Sequence, residues 1–243
     1  CKIAETMLNT EPLKADGIAA ALIHFAQHNI GDHDSKLEIE KEALLVRGAT
    51  LYRLTQYQEA LTISSRALDI AKEIGDIKGQ SFAMNTMGAV AIAQGDYESA
   101  LHQHTESLAL RKSIHDDALM ATSLMNIGNV YLALGDLTNA LEYFMQSLLL
   151  REKINDEHGI GVSLSNIGNV YGIMGDADQA VVYLQKSLAS KIATNNKQGQ
   201  VQTLCDLATQ YLSLGDLTKA RDHANVDLQV ALYLGNIDVE ACA

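Results

Sequence analysis

The chain is poor in the features that mark membrane spans, disulfide frameworks and nucleic-acid contact. No apolar run approaches the ~18 residues of a membrane span, and no secretory leader pattern is visible. The three cysteines, Cys1, Cys205 and Cys242, are odd in number and form no CxxC pair. They read as reduced thiols in a cytoplasmic setting. Cations are scarce: 18 Lys and Arg face 30 Asp and Glu, a formal net charge of −12. Such a surface repels nucleic acid and anionic lipid, so neither is an expected partner. A neutral to basic protein or peptide is. Tryptophan is absent, and Pro12 is the only proline. The catalytic signatures G-x-S-x-G, GxxxxGKS/T and HExxH are missing too.

What is present is a period. NIGNVY occurs at 126–131 and again at 166–171. A Gly-Asp pair recurs at Gly95-Asp96, Gly135-Asp136, Gly175-Asp176 and Gly215-Asp216. Alanine recurs at Ala20, Ala60, Ala100, Ala140, Ala180 and Ala220. A fixed spacing of this kind marks a solenoid, whose core grows linearly with length. Residues 117–156 and 157–196 agree at about 15 of 40 positions, mostly at expected core and turn positions.

One unit, 117–156, shows how the period folds. Leu124, Ile127, Tyr131 and Leu134 repeat at helical spacing. Gly135 suits a left-handed helix terminus and Asp136 the N-cap of the next helix. Ala140, Leu141, Phe144 and Leu148 form a second amphipathic run. Each unit is therefore read as two antiparallel helices of roughly 16 residues with short joints. Gly48, Gly88, Gly128 and Gly168 stand in mid-helix, where Gly costs ~1 kcal/mol relative to Ala. Close approach of the two helices must offset that cost. The last full unit has Ala208 there.

These residues resemble the tetratricopeptide repeat (TPR). The matching positions are Leu124, Ile127-Gly128, Tyr131, Gly135, Ala140, Phe144 and Ser147. The resemblance implies an all-α, TPR-type α-solenoid, a right-handed superhelix of antiparallel helix pairs. It covers five units over 37–76, 77–116, 117–156, 157–196 and 197–236. A degenerate N-terminal unit, 1–36, precedes them, with Leu8 in place of Gly. Residues 237–243 read as the start of a further helix, cut in mid-repeat. All form one expected solenoid domain. The first aromatic position holds Leu or Met (Leu44, Met84, Leu124, Leu164, Leu204), and the proline that often ends the second helix is absent. The period is 40, not ~34. The extra residues are expected in the second helix and its outgoing loop. Such units are similar to those of the LGN/Pins scaffolds and of bacterial TPR proteins that precede signalling output domains.

In TPR arrays the first helices line the concave groove. The resemblance thus places Asn126 and Asn129, then Asn166 and Asn169, on that groove. Asp206 and Thr209 follow one unit on, and Asn85 and Ser165 belong to the neighbouring row. Asparagine offers both a donor and an acceptor, which suits an extended peptide backbone. Alternatively these asparagines are solvated, or bond one another along the ladder. No Lys or Arg occupies the groove positions, which disfavours a clamp for an acidic C-terminal tail. His24, His28, His33, His102 and His104 lack the convergence a zinc site needs. His104 reads as a core residue, and Arg111, Arg151 and Lys191 as cations at the negative ends of helices.

No catalytic residue, metal or cofactor is therefore expected. The leading expectation is a non-catalytic interaction module, the docking or sensory segment of a larger signalling protein. It would bind an extended peptide or a helix. The alternatives are a self-association scaffold, with homo-oligomerisation left open, or a small-ligand sensor regulating an attached domain such as a nucleotide cyclase or kinase.

Overall fold

The computed structural model describes residues 12–233. Cys1, Leu8, Cys242 and the helix start expected over 237–243 lie outside them. Eleven helices make up the described residues, and no strand is among them. They are α1 (Pro12–Asn29), α2 (His33–Arg53), α3 (Tyr57–Glu73), α4 (Ile77–Ala93), α5 (Tyr97–Ser113) and α6 (Asp117–Ala133). Then follow α7 (Leu137–Lys153), α8 (Glu157–Met174), α9 (Ala177–Ala193), α10 (Lys197–Ser213) and α11 (Leu217–Tyr233). None is long and apolar enough to cross a membrane.

The helices are cut to length by their ends, and the ends recur every 20 residues rather than every 40. Thr55, Gly95, Gly135, Gly175 and Gly215 take positive φ after each first helix. Gly75, His115, Asn155 and Asn195 do so after each second helix. A capping side chain follows at once. Asp76, Asp96, Asp116, Asp136, Asp156 and Asp176 each accept from the backbone N–H three residues on, at 3.0–3.1 Å. Asn196 accepts the same bond at 2.9 Å. The carboxylate satisfies an orphan donor and meets the positive end of the helix dipole. Helices α4 and α5 are therefore equal, at 17 residues each, with three-residue joints. This corrects the expectation that the second helix and its loop hold the extra residues. The α1 and α8 helices are one residue longer, at 18, and α2 reaches 21 residues because Asp32 caps it four residues early.

Two compact units divide the chain, residues 1–130 and 131–243. In the first, α1 packs on α2, α2 on α3, α3 on α4 and α4 on α5, and α2 also reaches α4. Its core is serial. Leu44 of α2 meets Ala67, Leu68 and Ile70 of α3 and Ala83 of α4. A second cluster joins Leu51, Ala60 and Val90 from the same three helices. A third joins Ala91, Ala100 and Val130. The alanine pattern slips in α1, where Ala19, not Ala20, is buried and packs on Val46.

In the second unit α7 packs on α8, α8 on α9, α9 on α10 and α10 on α11. Leu184, Leu207, Tyr211 and Ala220 form a core cluster from three successive helices. Gly168 shows why glycine recurs in mid-helix. A Cβ there would stand 2.8 Å from Leu184 Cγ and 3.3 Å from the Ala180 carbonyl oxygen. Gly88 is held to glycine in the first unit by the His104 ring, 2.7 Å from such a Cβ. The tyrosines stack at the same spacing. Tyr131 on Tyr143 and Tyr171 on Tyr183 have centroids 5.4 Å apart, and Tyr211 on His223 is at 5.3 Å. Leu134 departs from its expected core place. It follows α6 in the joint and is 49% exposed.

Candidate functional site

Surface polar groups line open pockets in both units. In the second unit the pocket has a volume of about 660 Å³. Helix α8 supplies His158, Val162, Ser165, Asn166 and Asn169, which share a face at helical spacing. The start of α10 supplies Gln198, Val201 and Gln202, beside its cap Asn196. Lys191 enters from α9, between them. Its Nζ donates to Ser165 Oγ at 3.0 Å and to Thr203 Oγ1 at 2.6 Å. Thr203 is wholly buried, and Ser165 and Lys191 are each 6% exposed. Burial pulls the Lys191 ammonium below its ordinary value, partly opposed by the charge of Asp206. Asp206 is half-buried on α10, beside Gln202, Lys191 and Asn169. Burial pushes its carboxyl up, against Gln202, Lys191 and Asn169, which pull it down. Gln202 Nε2 donates to Asp206 Oδ1 at 3.1 Å, while Oδ2 has no partner.

A pocket of the first unit, about 670 Å³, lies between α2 and α4. Asn85 lines it with Glu38, Lys41, Glu42, Asp76 and Phe82. Lys41 is 2% exposed. Its Nζ is ringed by Asp76 at 2.5 Å, Glu38 at 2.7 Å and Glu42 at 3.2 Å. Burial pulls this ammonium down, but hydrogen bonds to the three carboxylates outweigh it and hold the group above its ordinary value. Carboxylate oxygens of Glu38, Glu42 and Asp76 come within 4.8 Å of one another, a spacing that fits a cation. Lys41 already supplies that positive charge.

The structure divides the expected site residues. Asn85 and Asn126 meet, with Asn126 Nδ2 donating to Asn85 Oδ1 at 2.5 Å. This is the ladder bond weighed as the alternative, and it occupies one donor and one acceptor. Ser165, Asn166 and Asn169 come together in the second-unit pocket. Asn129 is half-buried and lines neither pocket. Thr209 is exposed and donates to the Cys205 carbonyl of its own helix. Cys205 is half-buried on α10.

The expectation for the recurring cations also needs correction. Arg111 does not simply meet a helix end. It is buried, and its guanidinium donates to Ser81 Oγ at 3.2 Å, Ser123 Oγ at 2.9 Å and the Leu119 carbonyl at 2.8 Å. Arg151 bonds Asp156 and Ser147. A buried cation needs acceptors. The signal available in the sequence was the small polar row Ser123, Ser163 and Thr203, twelve residues after each cation. His104 fulfils its core reading. It is fully buried with neither ring nitrogen hydrogen-bonded. The rings of His24 and His28 stack at 4.2 Å.

No curated protein sequence matches the chain. Among solved structures, BtubC from P. vanneervenii aligns with a TM-score of 0.79 at 17% identity, covering 93% of each chain. A signal-transduction ATPase with a tetratricopeptide repeat sensor, from Pyrococcus horikoshii, aligns with a TM-score of 0.80 at 16% identity. The match covers 99% of this chain and 36% of that one. A Rap protein complexed with competence and sporulation factor aligns with a TM-score of 0.71 at 12% identity, over 97% of this chain and 76% of that one. At these identities the likeness speaks for the fold. The tetratricopeptide repeat family model matches residues 41–113, 119–193 and 160–226, well over half of the sequence. The chain belongs to the tetratricopeptide repeat family.

Proposed function

We propose that this chain is a non-catalytic docking or sensory module that binds an extended peptide or a helix along the face of its first helices. The observation that carries this reading is the second-unit pocket. Ser165, Asn166 and Asn169 present hydroxyl and amide groups along one face of α8, opposite Gln198 and Gln202 of α10. Amide side chains pair with a peptide backbone in either sense, so affinity need not depend on the peptide's sequence. A Rap protein was solved in complex with competence and sporulation factor, a Rap conjugation gene regulator in complex with the Phr* peptide, and the Pyrococcus neighbour carries a tetratricopeptide repeat sensor. These neighbours support the reading by analogy of fold. The five helix pairs are best taken as one functional array over 37–236, set in a larger signalling protein, with a neutral to basic partner in the cytoplasm.

Self-association is the second reading. Leu134, Met174 and Leu214 occupy the same turn position in successive repeats and are 43–49% exposed, and Leu217 is 69% exposed. Light scattering over a range of concentrations, combined with melting in the presence of a random peptide library, separates the two. A monomer whose melting temperature rises with peptide supports the module. A concentration-dependent oligomer indifferent to peptide overturns it in favour of the scaffold.

A further inference from the structure

We infer that the second unit carries a further docking surface, an edge of exposed apolar side chains at its helix joints that receives a basic amphipathic helix of a partner protein. Leu134, Ile173, Met174, Leu212, Leu214 and Leu217 stand at the joints that follow α6, α8 and α10, and are 43–69% exposed. None of them lines the α8–α10 pocket, so this surface does not depend on the groove reading. Leu134, Met174 and Leu214 recur at 40-residue spacing, which brings them to one edge of successive helix pairs. The repeat itself does not demand them. Gln94 fills the same place in the first unit and is exposed. A recurring row of large exposed apolar groups that the fold does not need marks an interaction surface.

Charge names the occupant. Residues 134–140, 174–180 and 214–220 hold four aspartates, Asp136, Asp176, Asp178 and Asp216, against one cation, Lys219. Lys219 already pairs with Asp216 at 3.1 Å. The Asn139 amide holds Asp136, and the Lys219 backbone N–H holds Asp216, below the ordinary carboxyl value, so both stay ionised at neutral pH. Each apolar joint thus has a carboxylate beside it. A second copy would oppose these carboxylates with its own, in a chain of net charge −12. An anionic lipid surface meets the same repulsion. An apolar stripe flanked by Lys or Arg complements the edge. The backbone decides between a helix and an extended segment. The amides of Gly135, Asp136, Gly175, Asp176, Gly215 and Asp216 bond to carbonyls of the preceding helix. No strand is among the described residues, so the edge offers no ladder to pair with. An extended segment would bury its own amides unpaired here. A helix bonds its own and lays an apolar face on the row.

Three synthetic peptides of about 18 residues test this. One is built of Leu and Lys with Leu at helical spacing, one has Glu in place of Lys, and one is a Leu/Lys scramble without the period. Fluorescence anisotropy follows each on the wild type, on Met174→Ser with Leu214→Ser, and on Asn166→Ala with Asn169→Ala. Melting checks the fold of each variant, and Ile173→Ser with Leu217→Ser is the second edge variant should the first not fold. The periodic Leu/Lys peptide should bind, and the other two at least tenfold more weakly. The edge variant should weaken it roughly tenfold or more, and the groove variant should leave it unchanged. No binding by any peptide, equal binding of the scramble, or an unchanged affinity in the edge variant overturns the inference. Loss in the groove variant alone moves the peptide to the groove and overturns it too. So does a wild-type oligomer that grows with concentration and disappears in the edge variant, which gives the edge to a second copy.

Discussion

His104→Leu should make the protein more stable, and more so in mild acid. His104 sits against Gly88, is wholly buried, and leaves both ring nitrogens without a hydrogen bond. Burial, with the charge of Arg111, lowers its pKa from 6.5 to about 4. Leu184 shows that leucine fits this repeat position, since it lies as close to Gly168 as His104 does to Gly88. Removing unsatisfied buried polar atoms at similar volume should gain about 1–3 kcal/mol at neutral pH. The acid term is separate. The folded pKa lies below the unfolded one, so between pH 6.5 and about 4 the unfolded chain binds more protons. The contribution of neutral His104 is complete above pH 6.5 and is lost as pH falls towards 4. A shift of this size corresponds to about 3 kcal/mol. Urea unfolding of both proteins from pH 7.5 to 4.5 reads the two terms. The gap between them should widen steadily below pH 6.5. Parallel curves would refute a buried, neutral His104.

Gly168→Ala should lower the melting temperature despite the better helix propensity of alanine. The new Cβ meets Leu184 Cγ at 2.8 Å, and overpacking of ~1–3 kcal/mol should outweigh a propensity gain of ~1 kcal/mol. A neutral or raised melting temperature would show that the helices can part freely. Asp156→Ala should lose both the α8 cap and the partner of buried Arg151, costing about 1–2 kcal/mol or more by thermal denaturation. Asp156→Asn keeps the cap and should cost less. Burial raises the Asp156 carboxyl, but the Gly159 amide and Arg151 outweigh it and depress the pKa. Its stabilisation is thus present above the ordinary 3.8 and fades as pH falls through the lowered value, a fade absent in Asp156→Ala.

Much of the fold could be read from the sequence because its determinants are local. Gly135 and Asp136 announce a helix end and a cap within two residues, and Gly168 announces a close crossing. Other joints were less visible. His115, Asn155 and Asn195 take the left-handed conformation that Gly75 takes in its unit, so residue identity hid the 20-residue half-period. Asn166 and Asn169 were legible as a face from their three-residue spacing. Lys191 was not. It stands on a second helix, and only the crossing of α9 between α8 and α10 brings its ammonium to Ser165 and Thr203. Asn126 was legible in position but not in partnership, since Asn85 lies 41 residues away.

The central claim is that asparagines of the first helices hold a peptide. Isothermal titration of one library-selected peptide into the wild type and into Asn166→Ala with Asn169→Ala tests it most directly. Two lost hydrogen bonds of about 1 kcal/mol each predict a dissociation constant roughly 10–30-fold weaker, with helicity and melting nearly unchanged. An unaltered dissociation constant in a folded double variant would contradict the account.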